Sequence, residues 1–175
     1  SYLRFYLAGK LNNSIDDIDF NESDFVKKIN SDLVGNIVNI YSRVGTTLSS
    51  KIDYTLGTID DEGEQLLEEC STNEIYKNYE LLEYSKVVAE ILKIGDKVNS
   101  YINDREPWKT NIDETRQTIT NVLNVGKVLA KYLYPIVPEL SNKIFEFLNC
   151  TQDSEKLENC KINKYEVLIS KIQGI

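Results

Sequence analysis

Apolar residues recur along this chain at three- and four-residue steps almost from end to end, the spacing of helices that bury one face. Residues 2–11 carry the first such set: Leu3, Tyr6, Leu7 and Leu11. The acidic run NNSIDDIDF at 12–20 reads as a loop, and strand-type alternation is confined to short ambiguous pieces such as 15–20. Asn21 is placed to cap a helix, with Glu22 and Asp24 in a first turn where negative charge suits the helix dipole. Phe25, Ile29, Leu33, Ile37, Ile40 and Val44 then predict one long helix over 22–52. After a connection at 53–61, Leu66, Leu67, Cys70, Ile75 and Leu81 predict a helix over 62–81. Val87, Val88, Ile91, Leu92, Ile94 and Val98 predict another over 84–104. It must stop near Glu106, because Pro107 lacks an amide hydrogen and disfavours helix in the residue before it.

A fifth helix is predicted over 112–133, capped by Asn111 or Asp113, with a stripe of Ile119, Val122, Leu123, Leu129, Tyr132 and Leu133. The YPIVP turn breaks it, and Pro138 suits the first turn of the next helix, 139–149. Tyr165, Leu168, Ile169 and Ile172 predict a last short helix over 163–173. The sum is an all-α helical bundle of about five long and two short helices. There is no internal repeat, and only 151–161 resembles a linker.

Composition narrows what such a bundle can do. The chain has 175 residues, 41% hydrophobic and 27% charged, enough for one sizeable core. Twenty basic against 28 acidic residues give a net charge of -8, which argues against gripping nucleic acid mainly through its phosphates. Reading a few unstacked bases is not excluded. There is no His, so Ser–His and Cys–His catalytic pairs and Glu-x-x-His metal motifs cannot form. No glycine-rich phosphate loop occurs, and the paired acids Asp16–Asp17 and Asp60–Asp61 read as solvated charge. The expectation is therefore no catalytic residue, no metal site and no cofactor in this chain. The absence of Met makes it look trimmed from something longer.

No apolar run approaches the roughly 20 residues that span a bilayer, so no membrane is expected. Cys70, Cys150 and Cys160 are too few and too widely spaced for a secreted disulfide framework and are read as reduced thiols in a cytoplasmic protein. Cys150 and Cys160 bracket the polar stretch TQDSEKLEN, which leaves a disulfide open beside a plain structural role.

Three features could bind. Asn36, Asn39 and Arg43 fall at i, i+3 and i+7 on the long helix, and an amide with a guanidinium four residues on can read base edges; the bland reading is a solvated face. Trp108 follows Pro107 directly and is either a stacking platform or a core plug. Tyr101 and Asn103 lie in NSYIN, in the last turn before EPW.

Taken together, DFVKKINSDLVGNIVNIYSR (24–43), NSYINDREPWK (99–109) and YLYPIVPELSNKIFEFL (132–148) resemble the C-terminal anticodon-binding domain of methionyl-tRNA synthetases. SYLRFYLAGKLNNSIDDIDFN (1–21) is similar to the segment that joins the catalytic core to that domain. The likeness covers roughly residues 1–148; other class I synthetases carry related bundles, and NIYSR with YINDREPW points to the methionine enzyme.

The resemblance implies an ATP- and magnesium-dependent ligase that charges methionine onto its tRNA, of which this chain is a non-catalytic part. The core's HIGH-like and KMSKS-like signatures need His and Met, which are missing here. It also implies that Asn39 and Arg43 read anticodon bases and that Trp108, set by Pro107, stacks on them. Tyr101, Asn103 and Asn36 are expected on the same wall, with Asn103 standing where the family pattern leads one to expect Asp. The implied domains are a connection at 1–21, the anticodon-binding bundle at 22–149 and an extension at 150–175 with a short helix. The implied partners are the CAU anticodon loop of methionine tRNA and the enzyme's own catalytic domain. An acidic protein-interaction bundle with no RNA role, or the equivalent domain of another class I synthetase, are the competing readings.

Overall fold

The computed structural model describes residues 2–14 and 17–174. Ile15 and Asp16, in the expected acidic loop and the Asp16–Asp17 pair, lie outside the described residues. Helix α1 (Tyr2–Ala8) leads to α2 (Glu22–Lys28), which continues without a break through a π-helical stretch (Ile29–Val38) into α3 (Asn39–Gly45). Then come α4 (Thr47–Lys51), α5 (Asp61–Cys70), α6 (Glu74–Glu80), α7 (Tyr84–Arg105), α8 (Ile112–Leu133) and α9 (Pro138–Leu148). The all-α bundle expected from the spacing is what forms.

Local chemistry sets several boundaries where the sequence placed them. The Asn21 and Asn111 side chains accept hydrogen bonds from the amides of Asp24 and Glu114, each at 2.9 Å. Helix α7 ends at Arg105 with Glu106 left-handed (φ 45°), just ahead of Pro107. Asp60 is no acid–base partner of Asp61: it caps α5, accepting from the Gly63 amide at 2.8 Å and from Asn121 at 2.9 Å.

Four expectations are corrected. The helix over 22–52 widens into π geometry and breaks at Thr46 (ψ -107°). The apolar spacing is compatible with either winding and could not separate them. The helix over 62–81 is two helices, because Tyr132 pins the chain between them: its hydroxyl accepts from the Thr72 amide (2.8 Å) and donates to the Thr72 carbonyl (3.2 Å). Of the set expected over 2–11, Tyr6 is buried and Leu7 half-buried while Leu3 and Leu11 are exposed, and Phe5 and Ala8 complete the buried face instead. The segment 163–173 is not helical but an extended strap. Its bonding groups are taken one by one by distant partners: Phe147 accepts from the Asn163 amide (2.9 Å), Lys143 donates to Leu168 (3.2 Å), Tyr2 donates to Ser170 (3.1 Å), and Asn30 exchanges two bonds with Ile172 (2.8 Å each). A short isolated helix is marginal, and anchors of this kind outcompete it. The ring of Tyr165 lies so close to Gly45 that a β-carbon there would come within 2.6 Å of it.

At the centre, every residue of α8 from Thr118 to Gly126 is buried, polar ones included. One hydrophobic cluster takes in Phe5 and Ala8 from α1, residues of each longer helix, Leu157 and Ile162 from the segment before the strap, and Leu168 from the strap itself. Among the described residues, no buried side-chain nitrogen or oxygen lacks a hydrogen-bond partner.

Candidate nucleic-acid interface

The π-helical stretch and α3 run alongside α7, and a polar groove lies between them. Asn36, Asn39 and Arg43 line one wall; Asp96, Asn99 and Asn103 line the other; Ser31, Asp32 and Gly35 extend it. Asn99 and Asn103 are four residues apart and so share one face of α7.

Asn99 is the hub. Its Oδ1 accepts from Asn39 Nδ2 (3.3 Å) and Arg43 Nη1 (3.1 Å). Its Nδ2 donates to the Asn36 carbonyl (3.1 Å), Asn36 Oδ1 (3.3 Å) and the Gly95 carbonyl (3.0 Å). Asn36 in turn donates to the Leu92 carbonyl (3.1 Å) and Asp96 Oδ1 (2.9 Å). This approach is close enough that a β-carbon on Gly95 would stand 2.2 Å from Asn36 Oδ1, so any side chain there would displace the Asn36 amide. Asn99 lay inside NSYIN without an assigned role. The signal for it was the i, i+4 match with Asn103, opposite the N-x-x-x-R pair.

Arg43 also donates through Nη1 to the Asn99 carbonyl (3.3 Å) and through Nη2 to Asn103 Oδ1 (2.5 Å). These partners are all neutral. Among the described residues, no carboxylate comes within ion-pair distance of Arg43. Partial burial lowers its pKa from the usual guanidinium value, but the group stays charged at any physiological pH. It is a fixed cation, held by amides and left without an anion.

Trp108 stands beside it, 50% exposed, with the guanidinium carbon 5.9 Å from the ring centroid. The bend that presents the indole is clamped from below. The buried Pro107 has its carbonyl hydrogen-bonded by the hydroxyls of Thr110 (3.1 Å) and Thr115 (2.9 Å), and Lys51 donates to the Thr110 carbonyl (2.5 Å). Pro107 therefore contributes the direction of Trp108 rather than a surface of its own.

Tyr101 does not share this wall. Two residues from both Asn99 and Asn103, it is turned about 200° around α7 at 3.6 residues per turn. Its hydroxyl accepts from Asn121 Nδ2 (2.9 Å) of α8, and burial raises its pKa. The structure thus brings together Asn36, Asn39, Arg43, Asn103 and Trp108, adds Asn99, leaves Pro107 beneath and sends Tyr101 to the core side. An exposed indole face backed by a cation, next to a groove of amide donors and acceptors, can stack an unpaired base and bond the edges of its neighbours.

Residues 1–45 match the family described as "tRNA synthetases class I (M)", and residues 55–168 match "Anticodon binding domain of methionyl tRNA ligase". The chain is similar to the methionine–tRNA ligase of Leptospira interrogans serovar copenhageni, 42% identical over 196 residues, covering 98% of this chain and 27% of that ligase. It is also similar to that of Bdellovibrio bacteriovorus, 37% identical over 183 residues, covering 99% of this chain and 27% of the ligase. The chain thus spans about 27% of the length of the curated relatives it matches. Its fold resembles the free-state crystal structure of Mycobacterium tuberculosis methionyl-tRNA synthetase, with a TM-score of 0.87 and 16% identity over 99% of this chain and 39% of the other.

Proposed function

Because the chain belongs to the family of methionyl-tRNA ligase anticodon-binding domains, we propose that the groove between the π-helical stretch and α7 receives the CAU anticodon of methionine tRNA. In this reading Trp108 stacks on an anticodon base, while Asn39 and Arg43 bond base edges. Asn36, Asn99 and Asn103 hold those two side chains in place. The observation that carries the reading is the half-exposed indole with Arg43 over its ring, beside a wall of amides. The net charge of -8 fits it, since a splayed loop is recognised in a local pocket and needs no cationic surface.

The role is positional. Holding the anticodon in one place sets where the acceptor end of the tRNA lies. The rest of the ligase, beyond this chain, would activate methionine with ATP and magnesium and transfer it in the cytoplasm. Discrimination would come from amide and guanidinium groups left unpaired when a wrong base enters.

The test uses Trp108, the single tryptophan of the chain, as its own reporter. Its fluorescence is titrated with a CAU anticodon stem-loop and with a stem-loop of altered anticodon. Selective quenching by CAU is the expected result. Equal quenching by both would keep the stacking role and remove the methionine assignment. No quenching at concentrations that saturate weak binding would remove the stacking role itself.

A further inference from the structure

After α9 the chain turns at the left-handed Asn149 (φ 54°), and 159–162 comes back to pair with 54–57, where Thr55 and Lys161 form an antiparallel bridge. Two contacts tie that return to the end of α9. The Asn163 amide donates to the Phe147 carbonyl at 2.9 Å, and Asn149 Nδ2 donates to the Lys161 carbonyl at 3.3 Å. Cys150 follows Asn149 and Cys160 precedes Lys161, so the two cysteines flank one direct contact between the end of α9 and the returning chain.

We propose that Cys150 and Cys160 form an oxidisable dithiol that closes to a disulfide at the root of the C-terminal strap. Both cysteines are free and only partly buried, so a small oxidant can reach them. The loop they bracket is already held at both ends. Thr151 and Ser154 close a turn (Thr151 amide to Ser154 Oγ, 2.9 Å), and the Leu157 amide donates to Asn124 Oδ1 at 2.7 Å. Lys127 grips the carbonyls of Ser154 and Glu155, and Cys160 accepts from the Leu56 amide at 2.8 Å. Closure therefore joins two points that the fold already keeps together.

The step is thiol–disulfide exchange with a low-molecular-weight disulfide. The Cys160 thiolate attacks one sulfur of the oxidant, forming a mixed disulfide and releasing one small thiolate, which takes a proton. The Cys150 thiolate then attacks the Cys160 sulfur and releases the second. The protein loses two thiol protons and two electrons, and one small disulfide becomes two thiols. Burial raises both thiols above the usual cysteine range, with the Lys127 ammonium opposing the shift at Cys150. The rate should therefore rise about tenfold per pH unit through neutrality, following the thiolate fraction.

The protein is incubated with oxidised glutathione under native conditions and the cysteines are mapped by mass spectrometry. The expected product lacks two hydrogens, carries a Cys150–Cys160 crosslink and leaves Cys70 reduced. Cys70 is the internal control, buried with its thiol pushed up to about 11. The crosslinked protein should melt about 5–10 °C higher than the reduced form, as expected for a bridge closing a loop of this length. Cys160→Ser and Cys150→Ser should each abolish both the crosslink and the shift, whereas Cys70→Ser should abolish neither. Persistent glutathione adducts on the two cysteines, a crosslink that appears only in denaturant, or a bridge that leaves the melting point unchanged or lowers it would each overturn the proposal.

Discussion

The groove between the π-helical stretch and α7 and the centre of α8 are built from the same polar residue types, yet they are finished differently. In α8, Asn124 Nδ2 donates to the carbonyls of Thr120 (2.8 Å) and Leu157 (3.0 Å), and its Oδ1 accepts from the Leu157 amide. Asn121 bridges Asp60 and Tyr101, and the buried Tyr41 hydroxyl donates to the Gly126 carbonyl at 2.6 Å. Every partner there is internal, and the network locks α8 to α5, α7 and the loop before the strap. In the groove the amides hold one another and Arg43, but the cation has no anion and the indole face has no cover. A satisfied polar network rigidifies a fold, while an unsatisfied one at a surface offers its remaining valences to a ligand.

The comparison breaks most visibly at Asn124. Asn124→Leu leaves the buried amide and carbonyl of Leu157 without partners and should cost about 3 kcal/mol of unfolding free energy in a urea titration. RNA affinity of the remaining folded protein should be unchanged. The mirror case is Trp108→Ala, which should weaken stem-loop binding by about 1–3 kcal/mol while moving unfolding by no more than about 0.5 kcal/mol. Comparable losses of stability and affinity would show that the indole is a structural part and not a platform.

Tyr101→Phe sharpens the boundary between the two regions. It removes the acceptor for Asn121 and should cost about 1 kcal/mol in stability with no change in RNA affinity. A loss of affinity instead would return Tyr101 to the wall from which the helix geometry removes it. The smallest effect is expected from Asn103→Asp. A carboxylate 2.5 Å from Nη2 would give Arg43 the anion it lacks, at a site exposed enough to limit the gain to about 1 kcal/mol. Stem-loop affinity should fall a few-fold at low salt and recover toward that of the unchanged protein as salt rises. An increase in affinity would mean that Arg43 does not meet the RNA.

Much of the groove was legible before the fold was known. Asn39 and Arg43 lie four apart on a helix, so their shared face follows from one turn of geometry. Trp108 after Pro107 was legible as an exit direction, but its exposure depended on Thr110, Thr115 and Lys51 clamping the bend. Asn99 and Tyr101 exchanged importance because α7 has two faces, and only its neighbours decide which side each one serves.

The same division runs through the whole chain. The sequence by itself determined that the protein is helical, that Asn21 starts a helix and Asn111 or Asp113 another, that Pro107 follows the end of one and that Pro138 opens another. Each of these depends on residues within a turn of each other, where propensity, capping and missing amides act directly. Tertiary structure alone decided the π winding of Ile29–Val38, the break that Tyr132 imposes at Thr72 from 60 residues away, and the extended path of 163–173. It also decided that the chain next to Cys160 comes back to the end of α9 beside Cys150. These outcomes rest on hydrogen bonds and packing between residues far apart in the chain, and apolar spacing carries no record of which distant partner will be there.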